Sequence, residues 1–167
     1  MKKLFIITIL LFSHAIKAQD VAYVDSRYIL ENIPEFNTAQ EQLKNLSEEW
    51  TEEINMLKED VERLYRNYQA EKYLLPEDKK RDFEEKIITK EQEIKALTKE
   101  RFGPEGQLYE KQEQLIRPIM DLINTAVKKF ANDGEYDIIF DKSSDLIMIF
   151  ANPELDKSDN ILEQLGY

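Results

Sequence analysis

The feature that most constrains this fold is a regular spacing of apolar residues through a long, charged stretch at residues 35–117. In its first half the apolar positions follow at intervals of mostly three and four: Leu43, Leu46, Trp50, Ile54, Leu57, Val61, Leu64 and Tyr68. After a short interruption the pattern resumes at Phe83, Ile87, Ile94, Leu97, Leu108 and Leu115. This spacing is typical of the seam of a coiled coil, so we expect two long helices.

A turn at residues 74–78 separates these helices, because Pro76 suits a helix start and Glu77 and Asp78 suit the positive N-terminus. Apolar residues on the two sides pair with one constant sum of residue numbers, as an antiparallel register requires: Tyr68/Phe83, Leu64/Ile87, Leu57/Ile94, Ile54/Leu97, Leu43/Leu108 and Phe36/Leu115. Residues 35–117 therefore predict a helical hairpin arm with its tip at 74–78. A leg of about 41 residues would reach roughly 60 Å, so we expect the arm to project into solvent or meet copies of itself.

The first 18 residues read as a secretory signal peptide that leaves the mature chain. Lys2 and Lys3 precede the apolar run Leu4–Phe12, and Ala18 ends a candidate cleavage site. Cleavage after Ala18 would remove three lysines and no acid, which takes the formal net charge from −11 to −14. Such an acidic chain is not expected to bind nucleic acid or to be attracted to anionic membranes.

The composition also limits the chemistry. The chain has no Cys, and its one His, His14, lies in the predicted signal peptide. A mature chain without either residue cannot build a Ser-His-Asp triad, a Cys nucleophile or an ordinary zinc site. It also lacks a phosphate-binding loop of the G-x-x-x-x-G-K-[ST] type, so an ATP-driven cycle is not supported. We expect no enzymatic activity and no cofactor.

Residues 19–34 and 118–167 flank the arm and are predicted to form a small body. It should contain a strand at Val21–Val24, a short helix at Arg27–Ile33 and an antiparallel hairpin of strands Asp137–Phe140 and Leu146–Phe150. A terminal helix, capped by Asp156 or Ser158, should run to Leu165.

Three short strands leave open edges and too much exposed apolar surface for one chain. The predicted fold is therefore α+β, mostly α, with a long antiparallel helical hairpin projecting from a small β body that is completed by oligomerisation. The residues expected to build this oligomerisation body are apolar: Val21, Tyr23, Val24, Ile138, Ile139, Phe140, Ile147, Ile149 and Phe150.

Two further interruptions lie along the helices. Pro34 and Pro118 fall almost opposite each other in the register, which predicts a junction of arm and body where both helices change direction. Gly103, Pro104 and Gly106 should open or kink the returning leg. The sequence leaves two readings of this break open: a moving hinge, or a static kink that restores the phase of the seam.

The ordered set of segments resembles the Skp/OmpH family of periplasmic chaperones across essentially the whole mature chain. The stretches that carry the resemblance are 21–26 with Ile29-Leu30, then 136–143, and then 149–153. Residues 103–109 look like the version of this region in Bacteroidetes members. The resemblance implies a homotrimer in the periplasm whose strands form a central body. Its arms would surround a cavity that holds unfolded outer-membrane proteins without ATP.

A non-catalytic coiled-coil structural or adaptor protein of the cell envelope is the alternative. Well-known members of the family are basic, whereas this chain is acidic, and residues 63–86 carry seven basic and six acidic side chains. The resemblance to the family therefore does not lead us to expect contact of this chain with lipid or lipopolysaccharide.

A chaperone that only holds its clients needs adaptable, weak contacts, which Met and Tyr side chains provide. The candidate client-binding residues are the apolar Met56, Tyr65, Tyr73, Leu74 and Leu75, with the cations Arg66, Lys72, Lys79, Lys80 and Arg81. Tyr68 and Phe83 are instead expected in the seam. Trp50 faces Arg101 or Phe102 in the register and is expected to be a core anchor.

Overall fold

The computed structural model describes residues 19–145 and 147–167, so the predicted signal peptide lies outside the described residues. The elements follow in this order: β1 (Val21–Val24), α1 (Ser26–Glu31), α2 (Pro34–Glu71), α3 (Glu77–Phe102), α4 (Gln107–Asp133), β2 (Ile138–Asp141), a 3-10 turn (Pro153–Leu155) and α5 (Ser158–Leu165). They form two compact units, residues 34–121, here called the arm, and the remaining described residues on both sides of it, here called the body. The predicted division lies at 34/35 and 117/118. In the part of the chain that the structure describes, none of the helices is both long and apolar enough to span a membrane.

The arm is held together along the seam that the apolar spacing predicts. Val61, Tyr68 and Ile87 are buried in one cluster, and other seam residues of α2 and α3 pack against it: Leu64, Phe83 and Ile94. The rings of Tyr68 and Phe83 stack with their centroids 5.9 Å apart, as expected for a pair directly opposite each other. The predicted antiparallel hairpin and its register are therefore present.

The tip of the arm is a short turn between α2 and α3. The N–H of Leu74 donates to the carbonyl of Glu71 at 2.8 Å, which closes the end of α2. α3 begins immediately after Pro76, with Glu77 and Asp78 in its first turn. Proline needs no hydrogen-bond acceptor there, and the two carboxylates face the positive end of the helix dipole.

The two prolines that predict the junction of arm and body occupy different places in their helices. Pro34 is the first residue of α2, whereas α4 continues through Pro118 to Asp133. Proline inside a helix removes one backbone hydrogen bond, but ending the helix there would leave several carbonyls without partners. Continuing is the less costly choice when apolar residues downstream, such as the buried Ile123 and Ala126, still have a core to enter.

The two strands of the body pair in parallel, with Val21 opposite Ile138 and Val24 opposite Asp141. Parallel pairing needs a long connection between the strands, which the whole arm supplies. The other edge of β1 is partly occupied, because Tyr23 bridges to Asp156 and accepts a hydrogen bond from the N–H of Lys157 at 2.9 Å. The core of the body is made of apolar residues from β1 and the surrounding helices: Ala22, Tyr23, Val24, Ile29, Ile33, Ile123, Ala126, Ile161 and Leu162.

The predicted antiparallel hairpin of Asp137–Phe140 with Leu146–Phe150 is wrong. Residues 147–150 form no strand, and β2 pairs with β1 instead. After β2 the chain turns sharply, since the N–H of Ser144 donates to the carbonyl of Asp141 at 3.3 Å. The apolar and β-branched composition of residues 147–150 indicates a tendency to form a strand, but a strand also needs the edge of another strand to pair with.

The two short helices of the body differ in detail from their predictions. α1 spans Ser26–Glu31 rather than Arg27–Ile33, and the Asp25 side chain accepts a hydrogen bond from the N–H of Tyr28, as an N-cap does. α5 starts at Ser158 without a side-chain cap, so the predicted cap is wrong. Asp156 instead accepts from the N–H and the hydroxyl of Ser158, at 3.0 and 2.6 Å, and fixes the approach to the helix.

Asp141 connects the end of β2 to the start of α1. Its carboxylate accepts from the N–H and hydroxyl of Ser26, at 3.1 and 2.7 Å, and from the N–H and hydroxyl of Ser143, at 3.0 and 2.8 Å. Partial burial raises the pKa of Asp141, but these four hydrogen bonds to the charged form outweigh it and hold the pKa below 3.8.

We expect Asp141→Asn to lower the free energy of unfolding at pH 7 by about 2 kcal/mol, because hydrogen bonds to a charged acceptor are lost. Chemical denaturation of the two proteins measures this. The folded-state pKa is depressed, so the carboxylate's contribution is complete above pH 3.8 and is lost as the pH falls through the folded-state value. The difference between variant and wild type should therefore shrink in that acidic range. Asp145→Asn, at an exposed carboxylate in the same turn region, is the control and should change stability little.

Candidate functional site

The most exposed large side chains of the arm lie at its tip. Tyr73 and Leu74 are 84% and 86% exposed, and Tyr65, in the last turns of α2, is 51% exposed. These three residues are called the tip surface below. The chain reverses direction at residues 72–76, so side chains of the turn have no opposite helix to pack against. The turn thus presents apolar and aromatic groups that the seam does not cover.

Two of the other predicted apolar contacts do not belong to this surface. Leu75 is only half-exposed, because it packs against the buried cluster of Val61, Tyr68 and Ile87. Met56 is 54% exposed, but it precedes Tyr65 by nine residues on a continuous helix. That separation is about 2.5 turns, which places Met56 on the opposite side of α2 and roughly 13 Å along its axis.

The cations predicted around the tip are mostly paired with acids of their own helix. Arg81 is exposed, and three others form ion pairs three or four residues apart: Arg66 with Glu62 at 3.5 Å, Lys79 with Asp82 at 3.1 Å, and Lys80 with Glu77 at 2.6 Å. The hydrogen bond to Asp82 and its charge raise the pKa of Lys79. Exposed pairs of this kind add little stability, but they neutralise the field of the cations they involve.

Lys72 differs from these cations because it lies beside the tip surface itself. Its ammonium donates to the side-chain carbonyl of Gln69 at 2.7 Å and lies 5.1 Å from the ring centroid of Tyr73. A cation at this distance from an aromatic ring is attracted to the face of the ring. Lys72 therefore helps to orient Tyr73.

Tyr68 and Phe83 belong to the seam rather than to the tip surface. Tyr68 is 7% exposed, and its hydroxyl donates to a carboxylate oxygen of Glu84 at 2.5 Å. This hydrogen bond, together with burial, raises the pKa of Tyr68 to about 12. The phenol remains protonated and keeps its bond to Glu84 throughout the physiological pH range.

Two exposed apolar side chains of the arm were not among the predicted contacts. Ile88 is 52% exposed and Tyr109 is 47% exposed. Each directly follows a seam residue, Ile87 and Leu108. On a helix the next residue lies about 100° away from its predecessor and so leaves the seam. An apolar residue immediately after a seam position was therefore the signal that could have found both.

The predicted break in the returning leg is present, and its backbone is tightly packed. The N–H of Gly106 donates to the carbonyl of Gly103 at 2.9 Å. A Cβ at Gly103 would lie 2.4 Å from the carbonyl oxygen of Lys99, and one at Gly106 would lie 2.7 Å from that of Glu100. Both positions therefore require glycine, because backbone atoms occupy the space of a side chain.

The body carries a second exposed apolar surface beside β1. Ile147, Ile149 and Phe150 are 89%, 96% and 83% exposed and line an open trough of about 710 Å³ that also includes Tyr23 and Phe140. Among the other residues predicted for oligomerisation, Ile138 is exposed, whereas Val21 and Ile139 are half-exposed. Tyr23 and Val24 are largely buried within the chain's own body.

The fold combines a long helical hairpin with a two-stranded sheet, and the two strands lie before and after the hairpin in the sequence. The chain matches a crystal structure of an OmpH-like protein from Caulobacter crescentus CB15 with a TM-score of 0.71 and 13% identity, over 92% of this chain and 87% of the other. It is also 22% identical to the chaperone protein Skp of Yersinia enterocolitica over 153 residues, which are 92% of this chain and 90% of that protein.

The family follows from a match along nearly the whole chain. The family model described as outer membrane protein (OmpH-like) matches residues 20–165. The chain belongs to the OmpH-like family. The match begins two residues after Ala18 and includes both the arm and the body.

The different exposure of the two adjacent leucines at the tip yields a prediction of stability. Leu75→Ala should lower the free energy of unfolding by about 2 kcal/mol, because it removes packing against the cluster around Tyr68. Leu74→Ala should change it by less than about 0.5 kcal/mol, because this side chain is 86% exposed. Denaturant unfolding of the two variants provides the comparison, and equal losses would contradict the assignment of Leu74 to the tip surface.

Proposed function

We propose that this chain is an ATP-independent holdase chaperone of the periplasm that binds unfolded outer-membrane proteins. The observation that carries the proposal is the tip surface. Its Tyr73 and Leu74 side chains are largely exposed and do not contribute to the packing of the hairpin. Support also comes from membership of the OmpH-like family and from the similarity to a protein named as a chaperone. The predicted signal peptide supports a location outside the cytoplasm.

The tip surface binds by apolar and aromatic contact rather than by charge. Tyrosine presents a ring that covers apolar side chains and a hydroxyl that bonds to unpaired backbone groups, and an unfolded chain offers both. The cations around the tip are largely neutralised by acids of their own helix. This arrangement favours contact with apolar segments of a client, and it gives no reason to propose binding of lipid or lipopolysaccharide.

The proposed active form is a homotrimer whose arms surround the client in a cavity. Each contact at a tip is weak, but several arms acting on one chain raise the effective concentration of binding groups. The exposed side chains at Ile147, Ile149 and Phe150 supply apolar surface for association between bodies. Oligomerisation would also provide the partner edge that residues 147–150 need to form a strand.

The chaperone proposal is tested by suppression of aggregation of an urea-unfolded outer-membrane β-barrel on dilution, without nucleotide. The double variant Tyr73→Ser, Leu74→Ser should bind the client roughly tenfold more weakly, because apolar contacts are lost at every tip. The control Lys79→Ser, Arg81→Ser removes two cations from the same region and should change affinity much less. Failure of the wild-type protein to prevent aggregation would favour a structural or adaptor role in the envelope.

The proposed assembly is tested separately, by light scattering of the mature chain during size-exclusion chromatography at micromolar concentration. The expected mass is three times that of the chain. Ile149→Asp should shift the protein toward monomer, because it places a charge on a side chain that is 96% exposed in the single chain and covered in the assembly. Ile88→Asp, at an exposed position of α3, is the control and should keep the trimer. A well-folded wild-type monomer would contradict the proposal.

A further inference from the structure

Arg101 lies on one of the three long helices of the arm and contacts the other two, at the place where the returning leg is broken. It is the penultimate residue of α3. Its guanidinium lies 4.5 Å from the ring of Trp50 and 3.6 Å from a carboxylate oxygen of Glu53, both on α2. It also donates to the side-chain carbonyl of Gln107, the first residue of α4.

The indole of Trp50 is a rigid support for this arginine. Trp50 is 7% exposed, and the ring of Phe102 meets it edge-on with the centroids 6.1 Å apart. The guanidinium is planar and weakly hydrated, so it stacks on an aromatic face while its edges donate hydrogen bonds. A lysine at the same position could not make both kinds of contact in this geometry.

The second side of the break is held through Gln107. Its side-chain amide donates to a carboxylate oxygen of Glu100 at 2.7 Å, while its carbonyl accepts from Arg101. Gln107 therefore connects the start of α4 to the end of α3 across the four residues of the break. Without these side-chain contacts, the two helices would be joined there mainly by the short backbone turn.

One atom indicates that this closed arrangement is not maximally stable. The Nε of Arg101 is buried and has no hydrogen-bond partner among the described residues. A buried donor without a partner costs free energy in the closed state and recovers a partner from water when the contact opens. The same leg contains glycines at the two tightest points of the turn, whereas α2 runs unbroken beside it.

We propose that Arg101 is a latch: stacked on Trp50 and bonded to Gln107, it holds the break closed, and its release lets the returning leg bend at Gly103–Gly106. The bending is confined to the break because α2 is a continuous helix opposite it. The latch is a property of the client-free chain and goes beyond the proposed function. In a chaperone it would let one arm adopt more than one shape.

The test is native-state hydrogen exchange of the amides of Gly106 and Glu110 in the client-free mature protein. These amides donate to the carbonyls of Gly103 and Gly106, so they exchange when the break opens. Arg101→Lys keeps the positive charge but loses the planar fork. It should lower the protection of both amides roughly tenfold, since a desolvated stacking contact and a hydrogen bond are removed together.

Trp50 is the single tryptophan of the chain and provides an independent readout. Release of the latch should make its fluorescence more accessible to acrylamide in Arg101→Lys. Trp50→Phe keeps an apolar ring but offers a weaker face to the cation, so it should lower the protection of the same two amides. The matched control is Arg117→Lys, because Arg117 pairs with Glu113 on its own helix, away from the break. It should leave protection and quenching unchanged.

Two outcomes would overturn the proposal. Equal protection of Gly106 and Glu110 in Arg101→Lys and Arg117→Lys would mean that the backbone turn alone holds the break. An equal loss of protection in the helices around Tyr68 and Ile87 would mean that Arg101 stabilises the arm as a whole. Because no client is present, either failure is distinguishable from failure of the chaperone proposal.

Discussion

The structure of the arm depends on one narrow apolar seam between antiparallel helices. The chain is one-third charged, and the buried residues of the hairpin form a line of single side chains such as Val61, Tyr68 and Ile87 rather than a broad core. A seam this narrow covers one face of each helix and leaves the others in solvent. Because so few residues are buried, the long arm keeps a large solvent-accessible surface. A protein that holds clients requires such a surface.

The side chains on the solvent-facing sides of the arm helices determine what kind of partner the arm can contact. The ion pairs of Arg66, Lys79 and Lys80 are formed with acids on the same helix, so the charges are compensated before any partner approaches. Tyr73 and Leu74 are instead largely exposed, with the ammonium of Lys72 lying 5.1 Å from the centroid of the Tyr73 ring. The surface therefore differs from a basic tip: it exposes apolar and aromatic side chains, and three of the cations near it are paired with acids of their own helix. That distinction follows from spacing along the helix, not from the net charge of the protein.

The sequence was a good guide wherever the determining interaction is local or follows from the seam. The register predicted that Tyr68 meets Phe83 and that Trp50 meets Arg101 or Phe102, and Trp50 contacts both, because position along a rigid helix follows from residue number. The sequence wrongly predicted a strand at residues 147–150, because a strand forms only where it can pair with the edge of another strand. It also missed that β2 joins β1 in parallel, because that pairing depends on chain segments more than a hundred residues apart. The sequence correctly predicted that Leu74 is exposed at the tip. It did not predict that Leu75 packs against the seam, because side chains in a turn do not follow a regular spacing as those of a helix do.

The two proline-containing sites of the returning leg show what actually breaks a helix in this chain. Pro118 removes a backbone hydrogen bond, yet α4 continues through it. Pro104 lies in a true interruption, and there the neighbouring glycines meet backbone oxygens at distances that no side chain tolerates. The break is therefore specified by close approach of the backbone at Gly103 and Gly106, and proline accompanies it. A turn built in this way has little side-chain packing of its own to resist bending. In the proposed latch, the contacts of Arg101 with Trp50 and Gln107 supply the side-chain resistance to bending at this point.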